Sequence, residues 1–234
     1  MIIGASSGLG HALAERLAAE GHTVGIVGRR QGLLEALAAT RPLQFHVKAV
    51  DVTATERTPA NLAELATVMG GVDTVVISAG GGDVNLSLDF DVENRMIALN
   101  VSAFTCIADW AFNYFSNQGH GHLAAITSVA GMRGSRQAPA YSATKAYQVA
   151  YLQGLRQKAH HEKRGVIVTD ICPGFVDTPA AKSPARFWVT PLPKAALQIQ
   201  QGLHQRRKTV YVSRRWRIVA WVYRWLPNGL HERL

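Results

Sequence analysis

Cysteine is nearly absent: Cys106 and Cys172 are the only two in 234 residues. Two cysteines so far apart do not make the framework of a small secreted disulfide protein, and a reducing compartment is expected. Long apolar runs are missing too. No stretch approaches the roughly 20 apolar residues of a membrane-spanning helix. The chain opens Met1-Ile2-Ile3-Gly4, without the basic stretch and apolar core of a secretory leader. These absences predict a cytoplasmic protein. Metal-ligand spacing is also lacking. The histidine pairs His120/His122 and His160/His161 read as solvated positions at a loop and a helix end, and no metal site is expected.

Acidic residues are scarce, 16 against 25 Lys and Arg, but the imbalance is local. From residue 201 to 234 the basic residues are Arg206, Arg207, Lys208, Arg214, Arg215, Arg217, Arg224 and Arg233, and Glu232 is the only acid. That segment therefore carries +7 of the total +9. A nucleic-acid binder would be expected to spread its charge along a face of the whole domain. A basic tail on a nearly neutral body is a different pattern, and no nucleic-acid partner is expected.

What is present is an alternation of apolar β-type runs with helical ones. Strands are expected at Ile2-Ile3, 23–27, 44–50, 74–78, 122–127, 166–171 and 209–212. Helices are expected at 11–19, 31–39, 59–69, 92–114, 142–160 and 193–203. Central strands such as Thr74-Val75-Val76-Ile77 are continuous apolar runs, which marks a parallel sheet covered on both faces. The fold class is α/β: one Rossmann-type, doubly wound domain over residues 1–234, with 201–234 as its basic, Trp-rich end. The first strand is short for a buried one, so either it is truncated or the natural start lies upstream.

Gly4-Ala5-Ser6-Ser7-Gly8-Leu9-Gly10 stands between the first strand and the first helix. Glycines there let the backbone turn sharply and approach a pyrophosphate resting on the helix N-terminus. The second strand ends Val27-Gly28-Arg29-Arg30. Gly28 stands where an acid would bind the ribose hydroxyls of NAD(H), and the arginines that follow suit a 2′-phosphate. NADP(H) is the expected cofactor ahead of NAD(H), with Arg29 the first choice of phosphate ligand and Arg30 the second.

Tyr141 and Lys145 lie four residues apart, on one face of a helix. A free tyrosine, with a pKa of about 10, is a poor proton donor or acceptor at neutral pH, and a neighbouring ammonium would lower that value. Thirteen residues earlier, Ser128 follows the strand Ala124-Ala125-Ile126-Thr127, and Asn100 lies in the long helix before it.

Taken with the glycine loop, Asp51-Val52, Ser78-Ala79-Gly80, and Pro173-Gly174 with Thr178, the chain resembles the short-chain dehydrogenase/reductase family over about residues 1 to 180. The resemblance implies a catalytic set of Asn100, Ser128, Tyr141 and Lys145. Tyr141 would exchange a proton with the substrate oxygen. Ser128 would hydrogen-bond that oxygen, Lys145 would lower the tyrosine pKa and hold the nicotinamide ribose, and Asn100 would hold a water linking Lys145 to solvent. Gly4, Ser6, Ser7, Gly8, Leu9 and Gly10 would hold the pyrophosphate, and Asp51 and Val52 the adenine. Ser78, Ala79 and Gly80 would line the cofactor site. Pro173, Gly174, Val176 and Thr178 would shape the nicotinamide pocket. The family also implies a homodimer or homotetramer built on the two long helices.

Two departures stand out. Ile3 replaces the threonine usual before the glycine loop, and Ile77-Ser78-Ala79-Gly80 replaces Asn-Asn-Ala-Gly. Beyond the resemblance, Arg133 and Arg136 sit near the expected substrate position, as solvated loop residues or as ligands of an acidic group. Cys172 reads as a small buried hydrophobe. The segment 179–190, with Phe187-Trp188, implies a short lid over an apolar part of the substrate. Residues 214–226 mix three tryptophans with four arginines, which suits packing on the body or contact with a membrane surface. The competing readings are a catalytically idle NADP(H)-binding sensor and a nucleotide-sugar epimerase, the latter needing a larger carboxyl-terminal domain.

Overall fold

The computed structural model describes residues 1–178 and 187–232. Within them the strands β1 (Ile2–Ile3), β2 (Val24–Gly28), β3 (Phe45–Ala49), β4 (Thr74–Ile77), β5 (Gly121–Ile126), β6 (Val166–Pro173) and β7 (Thr209–Val212) form one sheet in the order β3-β2-β1-β4-β5-β6-β7. Every pairing is parallel. The helices are α1 (Gly8–Ala19), α2 (Gln31–Thr40), α3 (Thr58–Val68), α4 (Phe90–Ile97), α5 (Phe104–Gln118), α6 (Pro139–His161), α7 (Leu192–His204), α8 (Trp216–Trp225) and α9 (Asn228–His231).

Successive side chains of a strand point to opposite faces, and this divides the core in two. Ile3, Val75, Ile77 and Leu123 pack with Leu62 of α3, Phe112 of α5 and Leu152 of α6. Their neighbours Ile2, Val76 and Ala124 pack on the other face with Leu13 of α1, Leu34 of α2 and Ile199 of α7. Burial on both sides is the reason the strands read as unbroken apolar runs. The doubly wound α/β class expected from the sequence is therefore the fold.

The chain order reverses between β1 and β4, which places a crevice at the carboxyl ends of these strands, where open α/β sheets bind ligands. The helix expected at 92–114 is longer and is broken. It runs from Phe90 to Gln118 with a π-helical turn at Ala98–Ala103. Such widened turns loosen the backbone ladder and are found mostly as single turns at functional positions; this one contains Asn100.

The carboxyl-terminal segment forms α8, a helix that the sequence pattern does not predict. Its residues Trp216 and Ala220 join Val129 and Cys172 in a third, smaller apolar cluster beside the crevice. His122 departs from its expected solvated state: it is buried in β5, its Nε2 lies 2.7 Å from Thr169 Oγ1, and burial lowers its pKa to about 4.

Candidate active site

The glycine loop follows β1 directly and is tied by backbone hydrogen bonds. Gly4 and Ala5 both donate to Val27 O, while Ser78 and Ala79 both donate to Ile3 O at 2.7 Å. Ile3 itself is fully buried. The missing threonine hydroxyl is thus replaced by main-chain bonds together with an apolar anchor. A side chain at Gly4, where φ is +96°, would stand 2.4 Å from Ala79 N, and one at Gly10 would stand 2.2 Å from Gly4 O. Only glycine allows this approach. Ser7 makes no side-chain cap on α1, and no acid stands in its first turn, so the N–H groups and positive dipole end of α1 face the crevice unopposed.

Arg30 lies over this loop. It donates to Ser6 Oγ at 2.8 Å and to Ser7 Oγ at 2.7 Å. Arg29 lies electrostatically close to Asp51. Both arginines line the crevice, but Arg30, the second choice on sequence grounds, is the one that reaches the loop. Asp51 is exposed and does not line the crevice: it accepts from Thr53 N at 3.0 Å and Thr53 Oγ1 at 2.7 Å. Val52 and its neighbour Val50 do line it.

The proton-transfer groups come from three elements. Ser128 follows β5 and opens a short 3₁₀ turn, Val129–Met132, with Ser128 Oγ accepting from Ala130 N at 3.1 Å. Tyr141 stands in the first turn of α6, which begins with Pro139, a residue whose fixed φ suits a first helical turn. The Ser128 hydroxyl lies near enough to that of Tyr141 to act on its titration, and both line the same crevice. Gly82 backs the tyrosine ring so closely that a Cβ there would fall 2.8 Å from Tyr141 Cε2.

Lys145, one turn further along α6, is buried. Its Nζ donates to Ile126 O at 3.0 Å and to Gln148 Oε1 at 2.8 Å. Burial lowers its pKa to about 8, opposed by the nearby buried carboxylate of Asp170. Burial also raises the Tyr141 pKa above its usual value, against the neighbouring Ser128 hydroxyl. Desolvation is the largest influence on the tyrosine, and the ammonium of Lys145 is engaged by Ile126 and Gln148.

Asn100 lies behind the crevice wall, fully buried. Its side-chain amide accepts from Gly81 N at 3.0 Å and donates to Gly81 O at 2.8 Å and to Thr144 Oγ1 at 3.1 Å. Its main-chain carbonyl accepts from Gln148 Nε2 at 2.8 Å. Gln148, a residue that no sequence motif singles out, thus links Lys145 to the main chain of Asn100.

These groups share one cleft of about 1490 Å³, larger than the roughly 300–1,000 Å³ of an ordinary small-molecule pocket. Gly4, Ser6, Ser7, Gly8, Leu9, Arg29, Arg30, Val52, Ser78, Ala79 and Gly80 line it. Ser128, Tyr141, Lys145, Pro173, Gly174, Val176 and Thr178 line it too, while Gly10, Asp51 and Asn100 stand outside the lining. The fit to a dinucleotide is good: one cleft holds a glycine cradle, an uncapped helix end, guanidinium donors and proton-transfer groups. Thr178 stands across from the loop, its Cγ2 3.7 Å from where a Gly8 Cβ would be.

The substrate side is walled by aromatic residues, among them Phe187 from the expected lid and Trp216 and Tyr223 from the Trp-rich segment. Trp216 packs on Gly174 so tightly that a Cβ there would lie 2.0 Å from the indole, and Phe175, Phe187 and Tyr223 also line the cleft. Phe187 and Trp188 stack around Trp216, with ring centroids 5.0 Å and 6.2 Å away. The remainder of the expected lid, residues 179–186, lies outside the described residues. Arg133 is not a free anion ligand. Its guanidinium donates to Tyr223 O at 2.7 Å, to Leu226 O and to Asn228 Oδ1 at 2.9 Å, holding the carboxyl end of α8. Cys172 is buried, and its thiol pKa is pushed up by burial, which suits an inert packing role.

Comparison with known proteins agrees with this geometry. The short chain dehydrogenase family profile matches residues 1–186. An uncharacterized oxidoreductase of Staphylococcus epidermidis is 33% identical over 181 residues, which is 76% of this chain and 78% of the relative. A short-chain dehydrogenase from Sphingobium yanoikuyae, solved in complex with NADPH, superposes with a TM-score of 0.77 at 25% identity, covering 100% of this chain and 95% of that one. The 3-ketoacyl-(acyl-carrier-protein) reductase of Brucella melitensis, solved with NADH, superposes at 0.81 over 90% of this chain and 94% of that one. At 19% identity that likeness speaks of the fold alone.

Proposed function

The chain belongs to the short-chain dehydrogenase/reductase family, whose members are oxidoreductases that bind a nicotinamide cofactor, and from that premise we propose that it is an NADP(H)-dependent enzyme acting on a carbonyl or secondary-alcohol substrate. The observation that carries this reading is the Ser128–Tyr141 hydroxyl pair, with Lys145 buried one turn away, in the same cleft as the glycine loop. A catalytically idle nucleotide sensor has no physical need of that pair.

The cofactor would lie with its pyrophosphate on Ser6–Gly10, its 2′-phosphate near Arg30 and Arg29, and its nicotinamide beside Pro173, Gly174, Val176 and Thr178. When bound, it supplies or accepts the hydride. The protein's part is to orient and to move the proton. Tyr141, kept protonated at neutral pH by its burial, gives its hydroxyl proton to the carbonyl oxygen as that oxygen gains charge, and recovers it from solvent through the lysine side. Ser128 donates a hydrogen bond to the same oxygen. Lys145 holds the ribose and the tyrosine in register. Gly81, clamped by Asn100, fixes the wall against which the tyrosine ring is backed.

The aromatic lining of Trp216, Phe175 and Phe187 supports a substrate with an apolar portion. Among the described residues no helix is long and apolar enough to cross a membrane, and we place the enzyme in the cytoplasm. Family members often oligomerise; here a homodimer or homotetramer would be built along α5 and α6, where Tyr147 and Tyr151 stack on the outer surface.

The test follows NADPH and NADH oxidation over a panel of aldehydes, ketones and 3-oxoacyl esters, with Tyr141→Phe as the control. Turnover that prefers NADPH and vanishes in Tyr141→Phe, while NADPH binding persists, is the expected result. NADPH binding without turnover of any carbonyl, in solution or in vesicles, would replace the enzyme reading with the sensor.

A further inference from the structure

Helix α8 carries apolar residues on two opposite sides. On the inner side Trp216 and Ala220 are buried against the body. On the outer side Ile218, Trp221, Val222 and Trp225 are 62%, 65%, 43% and 70% exposed. Their spacing is i, i+3, i+4, i+7, a single continuous stripe on a helix. Among the described residues nothing covers this stripe and its two tryptophans. Around it stand Arg214, Arg215, Arg217 and Arg224, all exposed.

The charge decides what covers the stripe. Residues 201–234 carry +7, with Glu232 as their single acid. A second copy seated face to face on the stripe would bring the same arginines against each other, and like charges held together across an interface oppose association. An acyl-chain boundary rimmed by anionic headgroups meets both features. Indole rings settle at the headgroup level, and each basic side chain near an anionic leaflet is attracted to it. At ten residues α8 is too short to span a bilayer, so it would lie in the interface.

We propose that α8 docks the protein on an anionic bilayer surface, and that the substrate is an apolar ketone or secondary alcohol delivered from that bilayer. The second half rests on the oxidoreductase reading above; the first half does not. The link between the two is physical. The helix that bears the stripe also walls the cleft through Trp216 and Tyr223, and Arg133, from the turn that follows Ser128, holds its carboxyl end. Docking face and catalytic cleft are therefore opposite sides of one helix, about 10 Å apart. Phe187 and Trp188, about half exposed, continue the apolar surface from Trp216 toward solvent, and Arg215 lies 5.5 Å over the Trp188 ring.

The experiment uses the full chain, vesicles of phosphatidylcholine alone or mixed with phosphatidylglycerol, and no substrate. Co-sedimentation and a blue shift of tryptophan emission are read together. Wild type is expected to bind the mixed vesicles, to release them as salt rises, and to ignore phosphatidylcholine alone. Trp221→Ser with Trp225→Ser is expected to weaken binding roughly 30-fold or more. Arg217→Glu with Arg224→Glu, which leaves the stripe intact, should weaken it comparably, and both pairs should keep wild-type turnover of a short, water-soluble ketone.

Equal vesicle binding by wild type and both paired variants would overturn the docking. So would a wild-type oligomer that falls apart in the tryptophan pair, since the stripe would then be a subunit contact. For the substrate, a long-chain ketone carried in mixed vesicles is compared with its short soluble analogue. Loss in the tryptophan pair of the first rate alone is the expected result, and equal rates on the vesicle-borne ketone would overturn delivery from the bilayer. Because docking is read without turnover, a failure of the enzyme reading would leave the vesicle result standing and separately visible.

Discussion

Gln148 Oε1 accepts from Lys145 Nζ at 2.8 Å, and the same amide donates from Nε2 to the carbonyl of Asn100 at 2.8 Å. An amide cannot rotate without breaking both bonds, so it fixes the lysine more firmly than an exchangeable water would. The acceptor favours the charged form of Lys145, whose pKa lies at about 8. Gln148→Leu removes that support and should move the alkaline limb of kcat/KM to lower pH. Gln148→Glu places a carboxylate beside the ammonium and should move it to higher pH. Opposite shifts identify a residue that positions the lysine; a limb that stays in place in both variants would mean that the amide only packs.

Cofactor choice can be reversed at one residue. Gly28 ends β2, and a Cβ there would meet only Ser6 Oγ, at 3.5 Å, among polar atoms. Gly28→Asp should therefore be accommodated. Its carboxylate would repel a 2′-phosphate and accept from ribose hydroxyls instead. The NADPH-to-NADH ratio of kcat/KM is expected to fall roughly 100-fold, the size of one charge-assisted hydrogen bond to the ribose together with repulsion of the phosphate. An unchanged ratio would show that Arg29 and Arg30 do not meet the phosphate.

The alternating runs of the sheet were legible in sequence because each central strand is buried on both faces, so that hydrophobicity alone marks it. The glycine loop, Ser128, Tyr141 and Lys145 were legible because their chemistry needs fixed residue types at short spacings. Gln148 was not. It looks like any polar residue of an amphipathic helix, and its partner Asn100 is 48 residues away. Arg133 and the Trp-rich segment both stand out in the sequence, but not their contact: a wall of the cleft comes from α8, about 90 residues beyond the turn that holds it. The local partner of Asp51 was also illegible: its carboxylate accepts from Thr53 in a short turn, a bonding pattern that Asp side chains commonly adopt.

His122 sets an acid limit on the fold. Burial holds its pKa at about 4 rather than 6.5, so the folded state keeps it neutral while the unfolded chain protonates it. With more protons bound when unfolded, stability falls as pH drops from 6.5 through 4 and is constant, for this group, above 6.5. At about 1.36 kcal/mol per unit the full effect is about 3 kcal/mol. His122→Gln can keep a hydrogen bond to Thr169 without titrating, and denaturant unfolding at stepped pH should show a flatter slope for it across that window. Parallel slopes for the two proteins would place the acid sensitivity elsewhere.

Arg133 couples the catalytic turn to α8. The last carbonyls of a helix have no partner within it, and here Tyr223 O and Leu226 O are taken by one guanidinium rooted just beyond Ser128. Arg133→Ala removes three charge-assisted bonds, two to these carbonyls and one to Asn228 Oδ1, at about 1.5–3 kcal/mol each before relaxation. The loss should be local: hydrogen exchange across 216–231 should quicken while the sheet keeps its protection. Small ketones, which need only Ser128 and Tyr141, should be turned over at nearly the wild-type rate. Bulky ones, which need the wall made by Trp216 and Tyr223, should lose kcat/KM. A residue that instead gripped an acidic substrate would show the reverse, with unchanged exchange in α8 and a loss confined to anionic substrates, so the two measurements together decide which task Arg133 performs.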